Sequence, residues 1–551
     1  MKNYDDAVSF LGQWGLFQMT VCLLLCATIM PNGFGGFTLV LLTDVPEHRC
    51  LIPGDNLTES WRQGAIPAQV VNGKQELSSC SRYKLDVVRN LSAQGLIPGI
   101  DVNLTDLEQE SCVDGWNYSK KIYDSTLVTE FNLVCDDKWK QPFTTMIFYA
   151  GILSGSFFSG PLSDRFGRKP VLFATIATQM VFTFLQVFST SWIMLLILLF
   201  INGLGQMSNF VAALVLGSET LIGNVRIIYA SVGTMSAFAL GYMILPILAY
   251  FLRDWKHLQL ALSVPCLLYI PFWWLIPESP RWLLSQGKVE EAEAILKKAA
   301  KWNKVQAPSV IFEGYSPIKK KRNIKESFNF FLLLKHSHIR TSTIVLCFLW
   351  FTTSLGYYSL SFNTTQFHAD PYIACFISAA VEVPAYICSW LVLQYLPRRH
   401  SIISILVVGA LPLFFIQLVP KGQSQVSLTL ETLGKFAVTT SFSMVFVYAS
   451  EIYPTAIRNT ATATSSTFAR LGSCVTPFFL KLNDYHIYLP YIILGILYIL
   501  CGFCTLLLPE TFKQPLPETI EQMQKQTNRI TCPCINRTKT TVPVTMSDDD
   551  S

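Results

Sequence analysis

Twelve mostly apolar runs of at least 18 residues divide this chain, and they restrict it to helices packed side by side in a lipid bilayer. They fall at residues 17–42, 143–162, 171–188, 193–216, 227–251, 258–276, 341–360, 371–395, 402–419, 428–449, 461–480 and 488–508. Charged residues make up only 14% of the chain, against about a quarter in soluble domains, so lipid solvates most of it. Several runs contain Gly or Pro (Pro31-Asn32-Gly33, Pro246, Pro384, Pro412), which a bundle tolerates because neighbouring groups re-satisfy the freed backbone. The expected fold class is an all-α polytopic membrane protein with twelve transmembrane helices.

The short loops set the orientation, because Lys and Arg gather on the cytoplasmic side. Arg165, Arg168 and Lys169 follow the second run, Arg226 the fourth, Arg398 and Arg399 the eighth, and Arg458 the tenth. Segment 277–337, after the sixth, holds twelve Lys and Arg against six Glu and includes Lys319-Lys320-Lys321-Arg322. Both termini are therefore expected in the cytoplasm: a stretch 1–16, a linker 277–340 between the halves 17–276 and 341–508, and a tail 509–551. The N-terminal MKNYDDAVSF is acidic and lacks the features of a cleaved secretory signal, so the first run is expected to direct insertion. The polar tail reads as disordered and ends in SDDDS, without the apolar last residue that a carboxylate-capturing PDZ partner needs. The net charge of +5 is small and sits in the loops, which excludes a nucleic-acid partner.

The long first loop, 43–142, lies outside in this orientation. It carries sequons at Asn56, Asn90, Asn103 and Asn117 and four cysteines, Cys50, Cys80, Cys112 and Cys135. An even set beside several sequons predicts a glycosylated loop with two disulfides, whose pairing stays open. The spacings of 30, 32 and 23 residues contain no C-x2-C, so zinc is not expected. Two more cysteines, Cys532 and Cys534, form a CPC in the tail.

An internal repeat organises the runs. Glu219 and Arg226 recur as Glu451 and Arg458, and Pro277-Glu278-Ser279 recurs as Pro509-Glu510-Thr511, all displaced by 232 residues. Two equivalent matches at one offset predict two six-helix copies with a path between them.

Inside the eleventh run sits Arg470, a permanent guanidinium that costs roughly 2.5 kcal/mol or more if it faces hydrocarbon. It is expected to face a wet cavity, with a substrate carboxylate as its partner. Glu382 and Lys435 also lie in runs. Glu382 could meet an organic cation or pair within the bundle; Lys435 could snorkel outward or join Arg470 in attracting anions. Asn32, Gln206 and Asn209 offer carbonyl oxygens for Na⁺ or substrate hydroxyls, or hydrogen bonds between helices. Gly217 to Asn224 lacks the G-K-[ST] ending of a phosphate loop, so no nucleotide is expected. No nucleophile, base and acid come together either, so enzyme activity is not expected and no cofactor is needed beyond a candidate Na⁺.

The segment Gly160-Pro161-Leu162-Ser163-Asp164-Arg165-Phe166-Gly167-Arg168-Lys169 resembles the signature G-x-L-[ASG]-D-R-x-G-R-K of the major facilitator superfamily. Its charges could pair with Glu219 or Arg226 in one conformation and release in another, which makes Asp164, Arg165, Arg168, Glu219, Arg226, Glu451 and Arg458 gate residues rather than substrate ligands. With Pro277-Glu278-Ser279-Pro280-Arg281-Trp282-Leu283 and the long cysteine-bearing loop, the chain resembles solute carrier family 22. Pro46-Glu47-His48-Arg49-Cys50, Gln206-Met207-Ser208-Asn209-Phe210-Val211-Ala212-Ala213, Glu382-Val383-Pro384-Ala385-Tyr386 and Phe468-Ala469-Arg470-Leu471-Gly472 are similar to its carnitine and organic cation branch. That branch carries tyrosine at the position of Phe210, so here the aromatic face remains and a hydroxyl is lost.

The resemblance implies import of carnitine or a related ammonium compound across the plasma membrane. Such a zwitterion wants a fixed cation and aromatic faces. Arg470 supplies the first; Phe17, Phe210, Tyr242, Trp350, Phe351, Tyr357, Tyr358, Phe442, Phe446 and Tyr448 are candidates for the second. Organic anion exchange is the rival within transport, and a non-transporting receptor or scaffold is the rival from another class.

Overall fold

In the computed structural model a helix occupies each of the twelve apolar runs, and the structure describes residues 4–12, 14–53, 57–71, 74–312, 337–363, 370–420, 423–454, 457–514, 517 and 523. Asn56, the basic cluster 319–322, Cys532, Cys534 and the acidic end of the tail lie outside the described residues. The helices are α1 (Leu16–Leu42), α2 (Lys140–Phe166), α3 (Arg168–Gln186), α4 (Trp192–Thr220), α5 (Val225–Phe251), α6 (Trp255–Leu275), α7 (Ser337–Phe362), α8 (Pro371–Tyr395), α9 (Arg398–Phe415), α10 (Ser424–Ile452), α11 (Arg458–Phe479) and α12 (Leu489–Thr505). Seven of them are long and apolar enough to cross a membrane by length and composition alone. Helices such as α11 are less apolar because they turn Ser465, Ser473 and Thr476 into the bundle. Outward-facing Phe157, Phe158, Leu268, Trp274 and Phe503 stay exposed, which suits a surface solvated by lipid.

Three spans that the sequence presents as single runs are broken. Helix α5 starts through a π-helical turn at Tyr229–Gly233, and α6 passes into a 3-10 segment at Val264–Tyr269, where Pro265 supplies no amide. Helix α8 is interrupted between Ala380 and Glu382, just before Pro384 takes its missing N–H out of the ladder.

The repeat seen in sequence is a repeat of packing. Helix α1 packs on α5 as α7 packs on α11, α3 on α4 as α9 on α10, and α3 on α6 as α9 on α12. The halves meet through α2 with α11 and, equivalently, α8 with α5. Close approach of α1 and α5 depends on two glycines: a Cβ on Gly33 would collide with the carbonyl oxygen of Phe238, and one on Gly241 with that of Met30. Gly241→Val is therefore expected to cost about 1–3 kcal/mol by overpacking, read as a lower melting temperature of the purified protein.

Residues between α1 and α2 form a small separate core around Trp61, Ala65, Tyr83 and Val88, with three short antiparallel strand pairs. Disulfides join Cys50 to Cys112 and Cys80 to Cys135. His48 lies beside Cys80 and Cys135, but sulfurs already joined to each other are not metal ligands. Buried Arg82 ties the same loop together through Glu110 at 2.9 Å and Asp114 at 2.5 Å. Asn90, Asn103 and Asn117 are exposed on its surface. At the opposite end, an amphipathic linker helix, Val289–Trp302, packs under the first half. Its Glu293 accepts from the amides of Phe312 and Ile311, and these bonds with the Lys297 charge hold its carboxyl below the usual range. Asn303 just beyond caps α1, accepting from the amide of Phe17 at 2.9 Å.

Candidate substrate site and flanking ion pairs

Arg470 sits where α11 crosses α7 closely: Ser354 of α7 donates its hydroxyl to the carbonyl of Ala469 at 2.5 Å, and Gly472 leaves room for the Phe351 carbonyl. The helix then projects Arg470 into a cavity between the two halves with about 90 Å³ of free space. The side chain is half-buried, and its guanidinium makes no hydrogen bond or ion pair with any described residue. Aromatic faces enclose the rest: Phe210 and Phe238 come from the first half, and Tyr357, Tyr358, Phe442 and Phe446 from the second. Tyr357 and Phe442 stack with rings 5.6 Å apart and 12° from parallel.

The structure separates the sequence-derived candidates. Arg470, Phe210, Tyr358, Phe442, Asn32 and Gln206 line the cavity, as do Tyr357 and Phe446. The other candidates do not line it, Phe351 among them. Phe17 packs edge-on against Trp302 at the linker end, and Tyr448 donates its hydroxyl to the carbonyl of Pro509. Trp350 is fully buried behind Phe442 and Phe446, and Tyr242 stacks flat on Phe37 at 4.0 Å. Glu382 is completely buried and paired with Lys435 at 3.0 Å, so it meets neither the cavity nor a cation inside it. Lys435 does not snorkel, since its ammonium is as buried as its partner.

Residues that sequence reasoning did not assign also line the cavity, notably Phe37, Tyr149, Met207 and Tyr386. Beside it lies a cluster of amides. Asn32 donates to Asn209 at 2.9 Å and accepts from Gln179 at 2.6 Å, while Gln206 donates to the Asn32 carbonyl at 2.6 Å. Asn209 is buried in this cluster rather than on the cavity wall, and the side-chain oxygen of Gln179 is buried with no hydrogen-bond partner among the described residues.

Toward the loop end, a vestibule of about 590 Å³ is lined by Asp44, His48, Lys138, Phe362, Lys481 and Asp484. An aromatic layer closes it off from the cavity: Phe362 lies 5.9 Å from Tyr149, 6.1 Å from Phe37 and 6.2 Å from Tyr358. The halves are also tied at that end by the Lys138–Asp484 ion pair at 2.8 Å and by the Tyr372 hydroxyl donating to the Ile122 carbonyl.

At the linker end, charges cluster symmetrically. Arg168 donates to both oxygens of Glu219 at 3.1 Å and to Asp164 at 2.6 Å, and the amides of Arg168 and Lys169 donate to Glu278. Gly167 turns with φ +104°, and a Cβ there would sit 2.7 Å from Glu278 Oε2. In the second half Arg398 donates to both oxygens of Glu451 at 3.3 Å, and the amides of Arg398 and Arg399 donate to Glu510. Arg165 instead lies over the Phe166 ring at 5.4 Å. Arg226 lies half-buried near the start of α5, and Arg458 donates to the Tyr453 carbonyl at 3.1 Å. Arg398, Glu278 and Glu510 were not expected in these roles; the signal available was the displacement of the repeat, which puts Arg398 close to the equivalent of Arg168.

Comparison with known proteins agrees with this architecture. Residues 105–523 match the family model described as "Sugar (and other) transporter". Over 527 residues the chain is 50% identical to mouse "Solute carrier family 22 member 4", covering 95% of each. It is 50% identical to human "Organic cation/carnitine transporter 2", covering 95% of this chain and 94% of that one, and 32% identical to the Drosophila melanogaster "Organic cation transporter protein", covering 94% of each. The partially occluded inward-open structure of the xylose transporter XylE from E. coli superposes with a TM-score of 0.59 at 17% identity, covering 91% of this chain and all of that one, which shows the shared fold. A twelve-helix bundle of two matched halves, with relatives this similar along nearly its full length, places the chain in solute carrier family 22 of the major facilitator superfamily, in the organic cation/carnitine transporter branch, as a membrane transporter and not an enzyme.

Proposed function

We propose that this chain imports carnitine or a closely related quaternary ammonium zwitterion across the plasma membrane by alternating access, with Na⁺ as coupling ion. The observation that carries the reading is the Arg470 guanidinium, unpaired among the described residues and aimed into an aromatic-walled cavity between the halves. A carboxylate satisfies it through charge-assisted hydrogen bonds, while Tyr357, Tyr358 and Phe442 offer ring faces to an ammonium. The 50% identical relatives named organic cation/carnitine transporter 2 support the same substrate class. Na⁺ is assigned to the amide cluster, because Gln179 has a buried oxygen with no partner among the described residues beside Asn32 and Asn209, and a hard cation wants such neutral oxygens. In this orientation both termini are cytoplasmic, the loop is outside, and exposed Asn90, Asn103 and Asn117 carry glycans, with Asn56 a fourth acceptor.

Uptake of labelled carnitine, tetraethylammonium and glutarate into cells expressing the chain, with and without external sodium, tests this. Carnitine uptake is expected to be saturable and to fall at least about tenfold when sodium is replaced by a large cation. Sodium-independent carnitine uptake would remove the coupling alone. The second reading, organic anion exchange, rests on Arg470 being a cation with no partner among the described residues; stronger competition by glutarate than by quaternary amines would favour it.

A further inference from the structure

Behind the wall of the cavity lies the Glu382–Lys435 pair, both side chains no more than 1% exposed. Lys435 reaches Glu382 Oε1 at 3.0 Å and donates to the Ser378 hydroxyl at 2.6 Å. Its ammonium also lies over three rings: Tyr242 at 4.9 Å, Tyr357 at 5.5 Å and Phe37 at 5.8 Å. Glu382 in turn accepts from the hydroxyl of Tyr357 at 2.8 Å and from that of Tyr386 at 3.3 Å. Phe37, Tyr357 and Tyr386 present their rings to the cavity, so the pair stands one side chain away from any bound solute. The next acid on α10, Glu431, hydrogen-bonds Tyr491 instead.

We infer that Lys435 sets the charge selectivity of the transporter by masking Glu382, so that Arg470 alone determines the sign of the charge seen in the cavity. An unmasked Glu382 would favour cations without a carboxylate, because its field would offset that of Arg470 through a low-dielectric wall. An unmasked Lys435 would add to Arg470 and favour dianions. Both residues are positioning residues here, acting through Tyr357, Tyr386 and the field rather than by touching substrate. The inference deepens the proposed transport function and rests on Arg470 facing the substrate, but it concerns charge class rather than carnitine itself.

The test uses the purified full-length chain as wild type, Lys435→Gln, Glu382→Gln and the double variant, with thermal stabilisation by tetraethylammonium and by glutarate as readout. Lys435→Gln should lower the half-maximal concentration of tetraethylammonium about tenfold and raise that of glutarate, and Glu382→Gln should do the reverse. In the double variant the ratio of the two concentrations should return to within about twofold of wild type. Losing one member of a buried pair strands a charge and losing both strands none, so the double variant remains informative if either single variant does not fold. Single variants that shift the ratio in the same direction, a double variant whose ratio differs from wild type, or a ratio unmoved throughout would each overturn the inference. Carnitine uptake by the wild type, measured alongside, reads the proposed function separately: its absence with an intact charge switch would sink the carnitine reading alone.

Discussion

Arg470→Gln is expected to lower carnitine uptake at least about a hundredfold while leaving tetraethylammonium uptake at or above the wild-type level. The magnitude follows from the hydrogen bonds that the substitution removes. A hydrogen bond to a charged partner contributes about 1.5–3 kcal/mol, and two made by one guanidinium to one carboxylate exceed the roughly 2.8 kcal/mol that corresponds to a hundredfold change. The structure explains why no described neighbour can substitute: Lys435, the other cation close to the cavity, is already held by Glu382 and Ser378. Tetraethylammonium has no acid group to lose, and removing a cation from an aromatic pocket makes that pocket no less welcoming to an ammonium. Surface-normalised uptake of both compounds, with KM separated from maximal rate, checks the expectation. Equal loss of both, at normal surface abundance, would make Arg470 an architectural residue and leave the carboxylate without a receptor.

Much of the architecture was legible in the sequence because lipid imposes it. A backbone in hydrocarbon must satisfy itself, so twelve long apolar runs became twelve helices, and a shared displacement of Glu219/Glu451 and Glu278/Glu510 became two matched halves. The face each residue presents was far less legible. In a soluble helix the polar side marks the outside, but lipid is as apolar as the bundle interior, so that contrast vanishes. Hence Trp350, Tyr242, Tyr448 and Phe17, attractive as cage members by composition, turned out to be packing residues, while Phe37 and Tyr149 were overlooked. Charged residues escaped this ambiguity only in part. Arg470 could be placed toward water because its cost in lipid is large whatever surrounds it, yet the pairing of Glu382 with Lys435 joins helices across 53 residues of sequence, and no local pattern encodes it. The second charge cluster was hidden for a different reason. Around Arg398 the sequence reads Leu396-Pro397-Arg398-Arg399-His400, without the Asp and Gly that make its counterpart at 164–168 recognisable, although the bonds to Glu451 and Glu510 reproduce it.

That shared geometry makes Arg168→Ala and Arg398→Ala the second pair of changes with large expected effects: each should cut maximal carnitine uptake by about tenfold or more and change KM by less than about threefold. Arg168 is largely buried at 11% exposure, Glu219 at 22% and Asp164 at 57%, so removing the guanidinium strands one carboxylate that solvent screens poorly and one that it screens well. The poorly screened loss sets the size, about 1–3 kcal/mol, and each step of about 1.4 kcal/mol shifts a two-state equilibrium tenfold. Since the cluster lies at the linker end and the cavity residues at the middle of the bundle, the cost falls on the conformational cycle rather than on the bound substrate. Glu219→Gln combined with Arg168→Ala should then be milder than the sum of the two changes, because the second substitution removes the stranded charge. A double variant as impaired as the sum predicts would mean that Arg168 and Glu219 act independently. A loss explained wholly by surface abundance would reduce both clusters to fasteners of the helix ends, with the cycle governed elsewhere, most plainly by the aromatic layer and the Lys138–Asp484 pair at the opposite end.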